Sequence, residues 1–96
     1  MRTVVSRGRS GENFGQAVAG DRHIVLVGAP YASVRESGAG VGYVLDARTG
    51  ALQEILAPEP NDEDANAGRA VAVTASRLLV GGSDWSGIGM VGVFDR

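Results

Sequence analysis

"NFGQAVAGDRHIVLVGAP", residues 13–30, and "NAGRAVAVTASRLLVGGS", residues 66–83, are two versions of one pattern. Residues 13–28 align with 66–81 without a gap at a shift of 53, and eight of the sixteen pairs are identical. They are Asn13/Asn66, Gly15/Gly68, Ala17/Ala70, Val18/Val71, Ala19/Ala72, Leu26/Leu79, Val27/Val80 and Gly28/Gly81. Further on, "GVGYVLD" (40–46) matches "GMVGVFD" (89–95) at a shift of 49, so the second copy has an intervening loop four residues shorter. Self-similarity at such a period marks a stacked-repeat or propeller architecture.

Within each copy the apolar runs are short and bounded by Gly, Asp, Asn, Pro or Ser, which reads as strands. In the first copy they fall at about 15–20, 23–28, 40–46 and 51–57, and in the second at about 68–74, 77–82 and 88–94. "AGDRH" is a tight turn. In "DARTG" (46–50) the Asp46 carboxylate can accept N–H bonds from the next residues and Gly50 can take a positive φ. The pattern predicts a four-stranded antiparallel meander, A to D. Copy two supplies A, B and C, and "RTVVS" (2–6) precedes "NFG" much as "LQEIL" (52–56) precedes "NAG". The chain therefore reads D–ABCD–ABC, a permuted pair. Two repeats cannot close a ring alone, so strand 2–6 of one chain is expected to complete the last sheet of a neighbour.

The totals bound the remaining choices. Ninety-six residues make one small domain, marginal without partners or staples. The chain has no cysteine, so neither a disulfide framework nor a thiolate metal site is available to it. All nine cations are arginine, which excludes Schiff-base chemistry. A net charge of −2 argues against general affinity for nucleic acid or anionic membranes. No apolar run approaches the roughly 20 residues that span a bilayer. "MRTVVSRGRS" (1–10) lacks a signal peptide's apolar core.

Phe14-Gly15, Gly28-Ala29-Pro30 and "GVGYVLD" together resemble the FG-GAP repeat, the blade unit of integrin-alpha-type β-propellers. The resemblance covers the chain as two blades, with Ala67-Gly68 in place of FG and Gly81-Gly82-Ser83 in place of GAP in the second. It implies an all-β propeller unit over 1–96: strand 2–6 completing a neighbouring blade, blade one at 13–57, and blade two at 66–95 without its own outer strand. It also implies ligand or partner binding and extracellular or cell-surface use. Small residues at Gly15, Ala17 and Ala19 suit an innermost strand, and Phe14 suits packing between blades. Many such blades hold calcium between A and B. Here that hairpin is only Gly20-Asp21-Arg22-His23 or Thr74-Ala75-Ser76-Arg77, too poor in oxygen for the roughly six to eight ligands calcium takes. Neither a metal nor another cofactor is expected.

Catalytic candidates are few. His23 is the single histidine, in a turn without an evident acid–base partner, and "GAGVG" (38–42) lacks the helix a phosphate loop needs. An enzyme is not expected. Antiparallel alternation collects the longer segments, the B–C loops and the D–A connectors, at one end, and loops on a rigid scaffold usually carry function. Tyr31, Arg35, Asp84 and Trp85 are the candidate ligand-binding residues: an aromatic beside carboxylate and hydroxyl groups can stack on a sugar and bond its hydroxyls. Val4 and Val5, with the basic connector of Arg7 and Arg9 and the acidic connector of Asp62 and Asp64, are the assembly candidates. The expected protein is a non-enzymatic binding module, a trimer or tetramer of two-blade chains. A carbohydrate-binding lectin and a structural fragment of a longer propeller are the alternatives.

Overall fold

A computed structural model describes residues 13–32, 39–57, 66–83 and 89–96. These form seven strands: β1 (Ala17–Gly20), β2 (Ile24–Ala29), β3 (Val41–Asp46), β4 (Leu52–Leu56), β5 (Ala70–Val73), β6 (Arg77–Ser83) and β7 (Gly89–Asp95). The first four make an antiparallel sheet in the order β1-β2-β3-β4, and the last three a second antiparallel sheet, β5-β6-β7. The fold is all-β, without a helix among the described residues. The strand expected at 2–6 lies outside them.

The strands sit where alternation and turn residues put them, with one systematic difference. The first strand of each repeat begins two residues later than expected, at Ala17 and Ala70. Asn13 and Asn66 both have φ 57, and Gly15 and Gly68 have φ 93 and 105. Left-handed backbone interrupts the run of extended residues that a regular ladder needs, and glycine and asparagine are the residues that tolerate it most readily. The two copies thus share a left-handed entry into the strand, and it shortens both strands alike.

The sheets lie face to face, with β5 packed against β1 and β2. Because side chains alternate along a strand, register assigns the faces. Opposite Leu26 stand Ala19 and Val44; opposite Val80 stand Val71 and Gly92. These faces meet in one core of Leu26, Val44, Leu56, Ala67, Leu78 and Val80, flanked by Ile24, Val71, Val73, Met90 and Phe94. Leu26 and Val80 are fully buried, and burying a side chain of this size contributes about 1.5–3 kcal/mol. Small residues set how close the layers come. A Cβ at Gly28 would lie 1.9 Å from the Gly68 carbonyl oxygen, and one at Gly42 would lie 2.9 Å from a Val80 methyl.

The other face of the four-stranded sheet carries a smaller cluster of Ala29, Ala32 and Val41, packed by Phe14, Tyr43 and Ala57. Phe14 and Tyr43 meet there with ring centroids 5.5 Å apart and planes tilted by 51°. Phe14 therefore packs on its own sheet, on the side away from the second one.

Candidate functional site

The two ends of the stack differ in chemistry. At one end the β1–β2, β3–β4 and β5–β6 turns are closed by side chains. The N–H groups of His23 and Ile24 donate to Asp21 Oδ1 at 2.8 and 3.1 Å, and those of Arg48 and Thr49 donate to Asp46 Oδ1 at 2.8 Å each. In the second repeat a hydroxyl takes the place of the carboxylate: Arg77 N–H donates to Thr74 Oγ1 at 2.9 Å. Short polar side chains that bond the backbone two or three residues on are what such turns select. Ala47 N–H donates to the His23 carbonyl at 3.0 Å, which joins the two turns of the first sheet. His23 itself is exposed.

Arg96 joins the two repeats at this end. Its guanidinium donates to Asp21 Oδ2 and to the Thr74 carbonyl, at 2.7 Å each, and its own N–H donates to the Ser76 carbonyl at 3.2 Å. The Arg96 guanidinium, then the His23 and Ile24 N–H donors, hold the Asp21 carboxyl well below the usual carboxylate range. Thr49 and Arg48 N–H groups lower that of Asp46 in the same way. Both carboxylates are thus committed to turn geometry. A second ion pair, Arg77 with Asp95 at 2.9 Å, is solvent-exposed and contributes little.

The opposite end carries the β2–β3 and β6–β7 loops and the β4–β5 connector. Their described ends are tied by main chain. Gly40 N–H donates to the Ala32 carbonyl at 2.9 Å and Ala67 N–H to the Ala39 carbonyl at 2.8 Å, and Gly40 and Ala67 form a parallel bridge between the repeats. The Asn66 side-chain amide donates to the Ser83 carbonyl at 3.3 Å. Tyr31 stands at this end, directly after β2, and is 41% exposed between the buried Pro30 and Ala32. Arg35, Asp84 and Trp85 lie outside the described residues, as do Val4, Val5, Arg7, Arg9, Asp62 and Asp64. Tyr31 is thus the one candidate whose setting is defined.

Sequence reasoning missed two features: the Arg96 clasp, and the outer faces of both sheets. The second was legible in "GMVGVFD", which alternates strictly between exposed and half-buried residues through β7. Val91 and Val93 lie on its exposed side. Among the described residues no group of three His, Asp or Glu gathers into a metal-holding cluster, and no helix is long and apolar enough to cross a membrane. Compared with protein-family models, with curated proteins and with solved structures, the chain matches none.

Proposed function

We propose that the chain is a non-enzymatic interaction module of the FG-GAP-like propeller type. Several copies, each supplying two blades, close a ring and present their loop ends to a protein or glycan. The observation that carries this reading is the face-to-face stacking of two copies of one β pattern over a shared core. A repeat that buries only one of its faces against its neighbour is the unit from which stacked arrays are built. The chemistry at the two ends supports the division of labour. The turn end is tied by Asp21, Asp46, Thr74 and Arg96, so the loop end is left for recognition.

Carbohydrate is the sharper form of the proposal, because Tyr31 offers an exposed ring at the loop end. A glycan array probed with the wild-type chain, Tyr31→Ala and Trp85→Ala tests it. Selective binding lost in both variants supports a lectin. Binding retained by both removes these residues from the site, and an array without signal leaves a protein ligand as the reading.

A further inference from the structure

The internal repeat makes a prediction about each outer face. By the 53- and 49-residue shifts, Ala17, Ala19, Leu26, Gly28, Gly42 and Val44 correspond to Ala70, Ala72, Leu79, Gly81, Val91 and Val93. The first set faces the second sheet inside the stack, and the second set faces outward on β5–β6–β7. Burial separates the mates: Val44 is 4% exposed and Val93 60%. The other pair of faces is separated less completely: Val18 is 60% exposed where its mate Val71 is half-buried, whereas Val27 is buried at 4% much as its mate Val80 is at 0%. Val71, Leu78 and Val80 face into the stack, whereas their mates Val18, Val25 and Val27 line an open groove of about 360 Å³ on the outer side of the first sheet. Each outer face is therefore the repeat mate of a face that the chain already buries against its complement.

Backbone geometry at the glycines sharpens the match. Gly28 and Gly68 touch main chain to main chain, and a Cβ on Gly40 would lie 2.1 Å from the Ala67 carbonyl oxygen. The mates of these residues have no such neighbours. Gly81 has only ordinary contacts from 3.7 Å, Gly89 from 3.6 Å, and Gly15 has nothing within 4 Å although it keeps the same left-handed φ as Gly68. Where Ala67-Gly68 sits in the first repeat, the second has an open hollow of about 620 Å³, lined by Ala70, Gly81, Gly89 and Val91. The hollow has the position and the glycine walls of a seat for a Phe14-Gly15 segment.

We propose that β5–β6–β7 of one copy docks its outer face on the outer face of β1–β4 of a second copy. Phe14-Gly15 of that second copy sits in the hollow between Gly81 and Gly89. The occupant is another copy of this chain, because the interface continues in repeat register the one already present between the two sheets, with Val91 in place of Gly42 and Tyr43 in place of Gly92 as the larger residues it must accommodate. It is heterologous, face to opposite face, and such contacts close into rings or grow into filaments. This deepens the ring reading above and rests on it.

Two substitutions test the interface while sparing the single chain. Gly81→Ala adds a Cβ that has room in one chain but meets Gly15 of the docked copy, as a Cβ on Gly28 meets Gly68. Val93→Asp places a charge on a side chain already exposed in the single chain. Sedimentation gives the mass, and far-UV circular dichroism with urea unfolding checks the fold. The expected result is a closed multi-chain species for wild type and one-chain mass, with unchanged β signal, for both variants. If both variants keep the wild-type mass, the interface lies elsewhere and the ring survives. If wild type forms filaments that both variants abolish, the interface stands and the closed ring falls. A wild-type chain at one-chain mass overturns both.

Discussion

The approach of the two sheets at Gly28 yields a graded stability series. Gly28→Ala, Gly42→Ala and Gly81→Ala add the same methyl group at strand positions, none of which has left-handed backbone. What differs is the obstacle. At Gly28 the new Cβ falls 1.9 Å from the Gly68 carbonyl oxygen and 2.8 Å from its carbon. Gly68 cannot easily retreat, since its N–H is bonded to the Gly81 carbonyl at 2.9 Å and a Cβ placed on it would be 2.8 Å from Ala29 N. Reaching ordinary contact at 3.4 Å therefore means parting the sheets locally by about 1.5 Å. A radial gap of even ~0.5–1 Å forfeits about a quarter to a half of a dispersion contact, and Leu26 and Val80 lie in the same interface.

The cost for Gly28→Ala is thus at or above the upper end of overpacking penalties, about 3 kcal/mol. A chain of 96 residues has a total of about 5–14 kcal/mol at ~0.05–0.15 kcal/mol per residue. At Gly42 the obstacles are the tips of Val80 and Leu26, 2.9 and 3.1 Å away. These can turn aside, for about 1–2 kcal/mol. At Gly81 the nearest atoms are 3.7 Å away, and the single chain should change by no more than about 0.5 kcal/mol. Urea unfolding followed by far-UV circular dichroism, with all three changes carried on Val93→Asp so that assembly does not add to stability, should order the midpoints Gly28→Ala below Gly42→Ala below Gly81→Ala. Equal midpoints for the first and last would refute the close packing of the two repeats.

Acid should loosen the turn end. The folded-state pKa of Asp21 is depressed, so its contribution is complete above the unfolded carboxylate value near ~4 and is lost as pH falls from there through the folded value. Thermal midpoints across that range should fall less steeply for Asp21→Asn than for wild type; parallel curves would mean that the Arg96 clasp adds no stability. Gly50 has φ 77 and donates its N–H to the Asp46 carbonyl at 2.8 Å, so Gly50→Ala should cost about 1–2 kcal/mol. Gly50→Asn should be milder by urea unfolding, and the idea fails if Ala is tolerated as well as Asn.

Tyr31 and the loop end were legible in the sequence because antiparallel strands reverse direction at every turn, so counting strands assigns each loop to an end. The Arg96–Asp21 pair was not, since it joins residues 75 positions apart that only stacking brings together. The exposed face of β7 was half legible: alternation separates Val91 and Val93 from Met90 and Phe94, but it does not tell which set meets a partner.

Sequence by itself determined the seven strands, their order and their turns. Those depend on short-range causes: glycine and asparagine permit left-handed backbone at 13, 15, 66 and 68, and Asp21 and Asp46 bond the next few N–H groups. Tertiary structure alone decided which faces are buried. Leu26 and Leu79 are the same residue in the same repeat position, yet Leu26 is fully buried and Leu79 only partly. Their local environments are alike, and what separates them is a second sheet lying over one and none over the other. Burial belongs to a pair of surfaces, and no stretch of sequence contains both.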